Sequence, residues 1–169
     1  GLMYKNENTA VLLHVGKGEK LKAAQVFGCD PDIMRAACES EELAPFDVID
    51  INMGCPVPKL FKNGEGSALL ENLPLAEKII SECKKSGKNI TVKFRTGVTE
   101  EKKITRDFAV MCENAGADMI TVHGRTRSAY YSGEVDFDEI ASAKNSVKIP
   151  VIANGGVFSA EDADRLMEI

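Results

Sequence analysis

The feature that most constrains this chain is a pattern repeated five times: a short apolar run ending in polar or glycine residues, then a helix-like stretch. The runs cover 22–27, 48–52, 90–94, 119–123 and 151–153. They are mostly apolar on both sides of the pleat, which predicts parallel strands covered on both faces. Asp30-Pro31 opens a helix over 32–40, because Asp caps well and Pro suits the first turn. A helix over 75–85 places Ala76, Ile79, Ile80 and Cys83 on one face and stops at Gly87. Another, over 100–114, follows Thr99, carries Ile104, Phe108, Met111 and Cys112, and ends at Gly116. Ser159-Ala-Glu-Asp162 opens a last helix with a capping pattern, and 3–13 reads as one more.

Strand and helix alternating in this way give right-handed β/α units. Two architectures use such a series, the closed eight-stranded barrel and the open doubly wound sheet. Five strands do not close a barrel, so a barrel reading makes the chain part of one; a start at Gly1 without a Met agrees. No linker-like shift in composition divides residues 1–169, which read as one unit.

No apolar run approaches the roughly 20 residues that span a bilayer, and no signal-peptide pattern opens the chain. A cytoplasmic protein with no membrane partner is expected. The formal net charge of −5 speaks against a bare nucleic-acid-binding surface. It suits a small-molecule enzyme, or a piece whose basic partner domain lies elsewhere. The five cysteines include no C-x-x-C pair, and neither His14 nor His123 is near one, so neither zinc nor a disulfide framework is expected.

In a β/α series, functional groups gather where the strands end. Here those ends read Gln25-Val-Phe-Gly28, Asn52-Met-Gly-Cys-Pro56, Lys93-Phe-Arg95, His123-Gly-Arg and Asn154-Gly155-Gly156. Their agreement marks an active-site rim, although each alone stays open. Asn154-Gly155-Gly156 suits a phosphate cradle or an ordinary turn. Lys93 and Arg95 share a strand face, meeting an anion or electron-rich ring or simply reaching solvent. His123 is a ligand contact or a structural histidine. Cys55, fixed between Gly54 and Pro56, is a general acid or a buried turn cysteine.

The wider motif is Asp50-Ile-Asn-Met-Gly-Cys-Pro56, then Lys59 and Gly64-Glu-Gly-Ser-Ala-Leu-Leu70. With His123-Gly-Arg-Thr-Arg127 and Tyr131-Ser-Gly133, it resembles the tRNA-dihydrouridine synthase family, particularly its bacterial branch. The resemblance covers nearly the whole chain and implies an α/β protein, a partial TIM (β/α)8 barrel of roughly strands three to seven. Residues 1–169 are then an incomplete FMN-binding catalytic domain. The family's first strand, most of its second, its eighth with a phosphate-binding Gly-Arg pair, and its helical RNA-binding domain would lie outside this chain.

The implied chemistry uses NADPH to reduce FMN, whose N5 passes hydride to C6 of a uracil extruded from tRNA while Cys55 protonates C5. Gln25 and Lys93 would contact the flavin ring, with His123 close by and Asn52 shaping the pocket. Asn154, Gly155 and Gly156 would hold the phosphate end. Lys59 and Arg95 would meet substrate. Open barrel edges imply self-association and weak FMN binding by the piece alone. The alternatives are a flavin barrel oxidoreductase of the dihydroorotate dehydrogenase kind and an inactive truncated domain.

Overall fold

The computed structural model describes residues 11–169, so the helix expected over 3–13 lies almost wholly outside the described residues. Five parallel strands form one sheet: β1 (Ala23–Val26), β2 (Val48–Met53), β3 (Asn89–Arg95), β4 (Met119–His123) and β5 (Val151–Asn154). Their order in space is their order in sequence. A doubly wound sheet reverses its order at a switch point. Here the order never reverses, so right-handed crossovers lay every helix on the same side. The chain is a five-stranded arc of a (β/α)8 barrel.

The expectation of strands apolar on both faces is corrected. Ile49, Ile51 and Met53 of β2, Ile90, Val92 and Phe94 of β3, and Ile120 and Val122 of β4 are buried against the helices. Each such large side chain contributes about 1.5–3 kcal/mol relative to exposure. The opposite face carries Gln25, Asp50, Asn52, Thr91, Lys93, Arg95, Thr121 and His123, half of them only partly buried. The alternation is therefore apolar outward and polar toward the barrel interior, where polar groups on adjacent strands bond to one another.

The helices follow from their caps. Asp30 accepts from the Asp32 and Ile33 amides at the start of α1 (Pro31–Cys38). After β2 come the short α2 (Pro58–Lys62), a 3-10 turn (Gly66–Glu71), and α3 (Leu73–Lys84), capped by Asn72. The helix expected over 100–114 is broken into a 3-10 turn (Glu100–Lys102) and α4 (Thr105–Asn114). The break has a cause: the Ile104 amide donates to the Thr96 carbonyl, and Lys103 bridges to Gly97. The backbone lies so close there that a Cβ at Gly97 would run into the Lys102 carbonyl.

Phe108 of α4 meets Phe94 with ring centroids 4.8 Å apart, joining helix to sheet. A helix that the sequence reading did not anticipate, α5 (Phe137–Ser146), is capped by Asp136. The last, α6 (Ala160–Met167), opens with the capping box expected at Ser159 and Asp162. Among the described residues, no helix is long and apolar enough to cross a membrane.

Candidate active site

Parallel register brings the polar strand ends to one rim. Asn52, Lys93 and Thr121 are successive neighbours across β2, β3 and β4, and Arg95, His123 and Asn154 are neighbours across β3, β4 and β5. Gln25 stands beside Asp50 on the row below. The residues expected at the rim, Gln25, Asn52, Cys55, Lys93, Arg95, His123, Asn154, Gly155 and Gly156, thus belong to one end of the sheet. Lys59 stands apart, exposed on α2.

The Cys55 turn is held from two sides. The Asn52 carboxamide oxygen accepts from the amides of Gly54 (3.1 Å) and Cys55 (3.0 Å), an Asx-type turn. From below, the Ser67 hydroxyl (2.7 Å) and amide (3.1 Å) both donate to the Cys55 carbonyl. Gly66 makes this approach possible. Its φ is +60°, and a Cβ there would lie 2.9 Å from the Cys55 Cβ. The turn is fixed, and the thiol is left half-buried at the mouth.

Arg95 is nearly fully buried, at 4% exposure, and its guanidinium gathers the loops after β2 and β4. Nε donates to the Gly54 carbonyl (3.0 Å), and Nη1 donates to the carbonyls of Thr126 (3.1 Å) and Tyr130 (2.7 Å). The Tyr131 ring lies 5.5 Å from its Cζ. A second cationic clasp joins Arg127 to the Phe61 ring of α2 at 3.8 Å, tying the loop after β4 to the loop after Cys55.

Lys93 and His123 are of a different kind. Among the described residues, Lys93 is half-buried with no hydrogen bond or ion pair, and burial, reinforced by Arg95, pushes its ammonium down against the pull of Asp50. His123 is 6% exposed, and its buried Nδ1 has no partner among the described residues. Burial first, then the cations Arg95, Lys93 and Arg125, pushes the imidazole down to about 4, so it is neutral at neutral pH. Gly155, with φ +107°, lies against it: a Cβ there would stand 3.1 Å from the histidine Nε2. A desolvated cation, an orphaned imidazole nitrogen and unobstructed glycine backbone suit an electron-rich ring bearing an anionic tail.

A cavity of about 400 Å³ is lined by Arg125, Thr96, Gly133 and Asp136 among others. In its lining, Lys103 lies 2.7 Å from Glu100 and 2.8 Å from Asp136.

Sequence reasoning assigned no role to Asp50, Ser67, Thr91, Tyr131 or the Arg127–Phe61 pair. An aspartate inside an apolar strand was the visible signal for Asp50, while Ser67 and Thr91 acquire their meaning only from register and turn geometry.

The chain matches the family model described as Dihydrouridine synthase (Dus) over residues 2–169. It is 38% identical over 149 residues to tRNA-dihydrouridine synthase B of Pasteurella multocida (strain Pm70), covering 88% of this chain and 45% of that protein. The same identity holds over 149 residues of tRNA-dihydrouridine synthase B of Yersinia pestis, covering 88% and 46% respectively. The chain thus spans about half the length of the curated relatives it matches. Its fold is similar to that of the apo form of a provisionally assigned deoxyribose-phosphate aldolase from Toxoplasma gondii ME49. That similarity has a TM-score of 0.57 at 22% identity, covers 86% of this chain and 58% of the other, and concerns the fold alone.

Proposed function

The chain belongs to the dihydrouridine synthase family, and we propose that residues 1–169 supply the central arc of an FMN-binding barrel that reduces uridine in tRNA, with NADPH as reductant. One observation carries this reading: unpaired Lys93 and orphaned His123 share a rim with the rigidly held Cys55 turn. FMN fits these residues. Gln25 and Lys93 would contact the ring, Lys93 gaining the electron-rich partner that it lacks among the described residues. Neutral His123 would lie close by, its free Nδ1 able to donate or accept. Asn154, Gly155 and Gly156 would hold the phosphate through backbone amides. When bound, reduced FMN supplies a hydride to C6 of the uracil.

Saturating the C5=C6 bond then needs one proton at C5. Cys55 supplies it as a general acid, leaving a thiolate that solvent reprotonates. Holding the thiol on a turn fixed by Asn52 and Ser67 removes the conformational search that would slow this transfer. Asn52 shapes the pocket in which the base sits, and Arg95, by joining the loops after β2 and β4, keeps its walls in place. A uracil stacked in RNA cannot reach a barrel interior, so the base must be extruded. Lys59, exposed on α2 just beyond Cys55, is placed to meet an RNA phosphate. The substrate and the absence of a membrane-spanning helix among the described residues suit a cytoplasmic enzyme.

The test uses the full-length protein. Adding FMN should give a flavin band that co-elutes with it, and NADPH should then drive dihydrouridine formation in unmodified tRNA but no turnover of dihydroorotate. Turnover of dihydroorotate with none of tRNA would overturn the reading.

A further inference from the structure

We propose that Asp50 is a positioning residue that sets the direction of a hydrogen-bond chain ending at the Cys55 turn. The proposal rests on Cys55 being the acid of the proposed reaction, although the chain itself is a matter of geometry alone. It begins on β3, where the Thr91 hydroxyl donates to Oδ1 of Asp50 at 2.6 Å. From β1, the Gln25 amide nitrogen donates to Oδ2 of Asp50 at 2.7 Å. The Asn52 amide nitrogen then donates to the Gln25 amide oxygen at 2.9 Å. Finally, the Asn52 oxygen accepts from the amides of Gly54 and Cys55. Gln25, Asp50 and Thr91 are register partners across three adjacent strands, so the sheet itself holds the first links in reach.

A carboxamide has a donor end and an acceptor end of nearly the same shape, and nothing in packing alone decides which way it points. The turn needs the oxygen of Asn52, because its nitrogen would face two N–H donors. That orientation turns the Asn52 nitrogen toward Gln25, which must present its own oxygen and so direct its nitrogen at residue 50. An ionised carboxylate only accepts, so Asp50 is the one side-chain link that cannot be reversed. Among the described residues Asp50 has no hydrogen bond to the Cys55 turn itself, yet it determines which way the Gln25 and Asn52 amides between them point.

The experiment compares Asp50→Asn with Thr91→Val in the full-length protein, reading hydrogen exchange at individual amides. Asp50→Asn keeps the shape but makes the end of the chain reversible. We expect the Gly54 and Cys55 amides to exchange about tenfold faster or more, the scale of one charge-assisted hydrogen bond, with the β2 core amides little changed. Thr91→Val removes the other bond to Asp50 and leaves the amide chain intact; it should lower thermal stability without that local effect. A role for Asp50 confined to stability would move the two variants alike. Folded Asp50→Asn protein whose Gly54 and Cys55 amides exchange within twofold of the unaltered protein would overturn the proposal. If Asp50→Asn does not fold, Gln25→Met cuts the middle link at similar volume, and the same two amides decide. The exchange readout holds whatever the reaction is: an unaltered protein that forms no dihydrouridine would overturn the functional reading and leave this one standing.

Discussion

The two halves of the rim solve opposite problems. On the β1–β2 side, Gln25, Asp50, Asn52 and the Cys55 turn bond to one another until each link has its partner. On the β3–β4 side, Lys93 is left without a partner among the described residues, and the buried His123 Nδ1 is equally orphaned. Unsatisfied buried polar groups are costly and uncommon. On the proposed reading, completing one half and leaving the other incomplete separates two tasks: the first half fixes the acid Cys55, and the second is arranged for the flavin.

That contrast can be broken most forcefully at Cys55. Cys55→Ala should lower the rate of tRNA reduction by roughly 10²–10⁴-fold, the ordinary scale of general acid catalysis, while flavin absorbance shows FMN still bound. Activity within tenfold of the unaltered protein would remove the acid from the completed half. Next in size is Lys93→Met. If Lys93 waits for the flavin, FMN affinity should weaken about tenfold or more, whereas the FMN-free protein should melt at the same temperature or higher because a desolvated cation has been removed. A fall in the melting temperature of the FMN-free protein with unchanged FMN affinity would make Lys93 a structural residue instead.

The smallest effect concerns His123. Its proton affinity falls from 6.5 in the unfolded chain to about 4 in the folded one. Within that window the unfolded state binds the extra proton, so the contribution of His123 is fully present above pH 6.5 and is lost as pH drops toward 4. His123→Gln should flatten the fall in melting temperature between those two values, measured by thermal denaturation at a series of pH values. An unchanged slope would place the acid sensitivity in other groups.

Much of this arrangement was legible in the amino-acid order. The strands carry a local signal, and 48–52 and 90–94 extend only slightly to Val48–Met53 and Asn89–Arg95. The rim residues were visible because each strand ends in the same chemistry. What escaped depends on contacts remote in sequence. Gln25 and Asp50 are 25 residues apart, and Asp50 and Thr91 are 41 apart, so their pairing exists only once the register is known. Arg95 carries the same charge in sequence whether it meets solvent, substrate or three carbonyls. The break before Thr105 comes from the close approach to Gly97 rather than from any weak helix former. The helix Phe137–Ser146 was missed because its buried residues are only Ile140 and Ala143, too sparse a stripe to stand out.

The unbroken strand order has an evolutionary consequence as well. Each β/α unit lies against its neighbour by the same hand, so exchanging one unit for an equivalent one preserves the architecture. The proposed chemistry has no such modularity, because every unit brings only a fragment of it: Gln25 from one, Asn52 and Cys55 from the next, then Lys93 with Arg95, then His123, then Asn154. Recombination within this arc can yield many stable descendants, but one that substitutes a unit lacking its strand-end residue inherits the scaffold without the reaction.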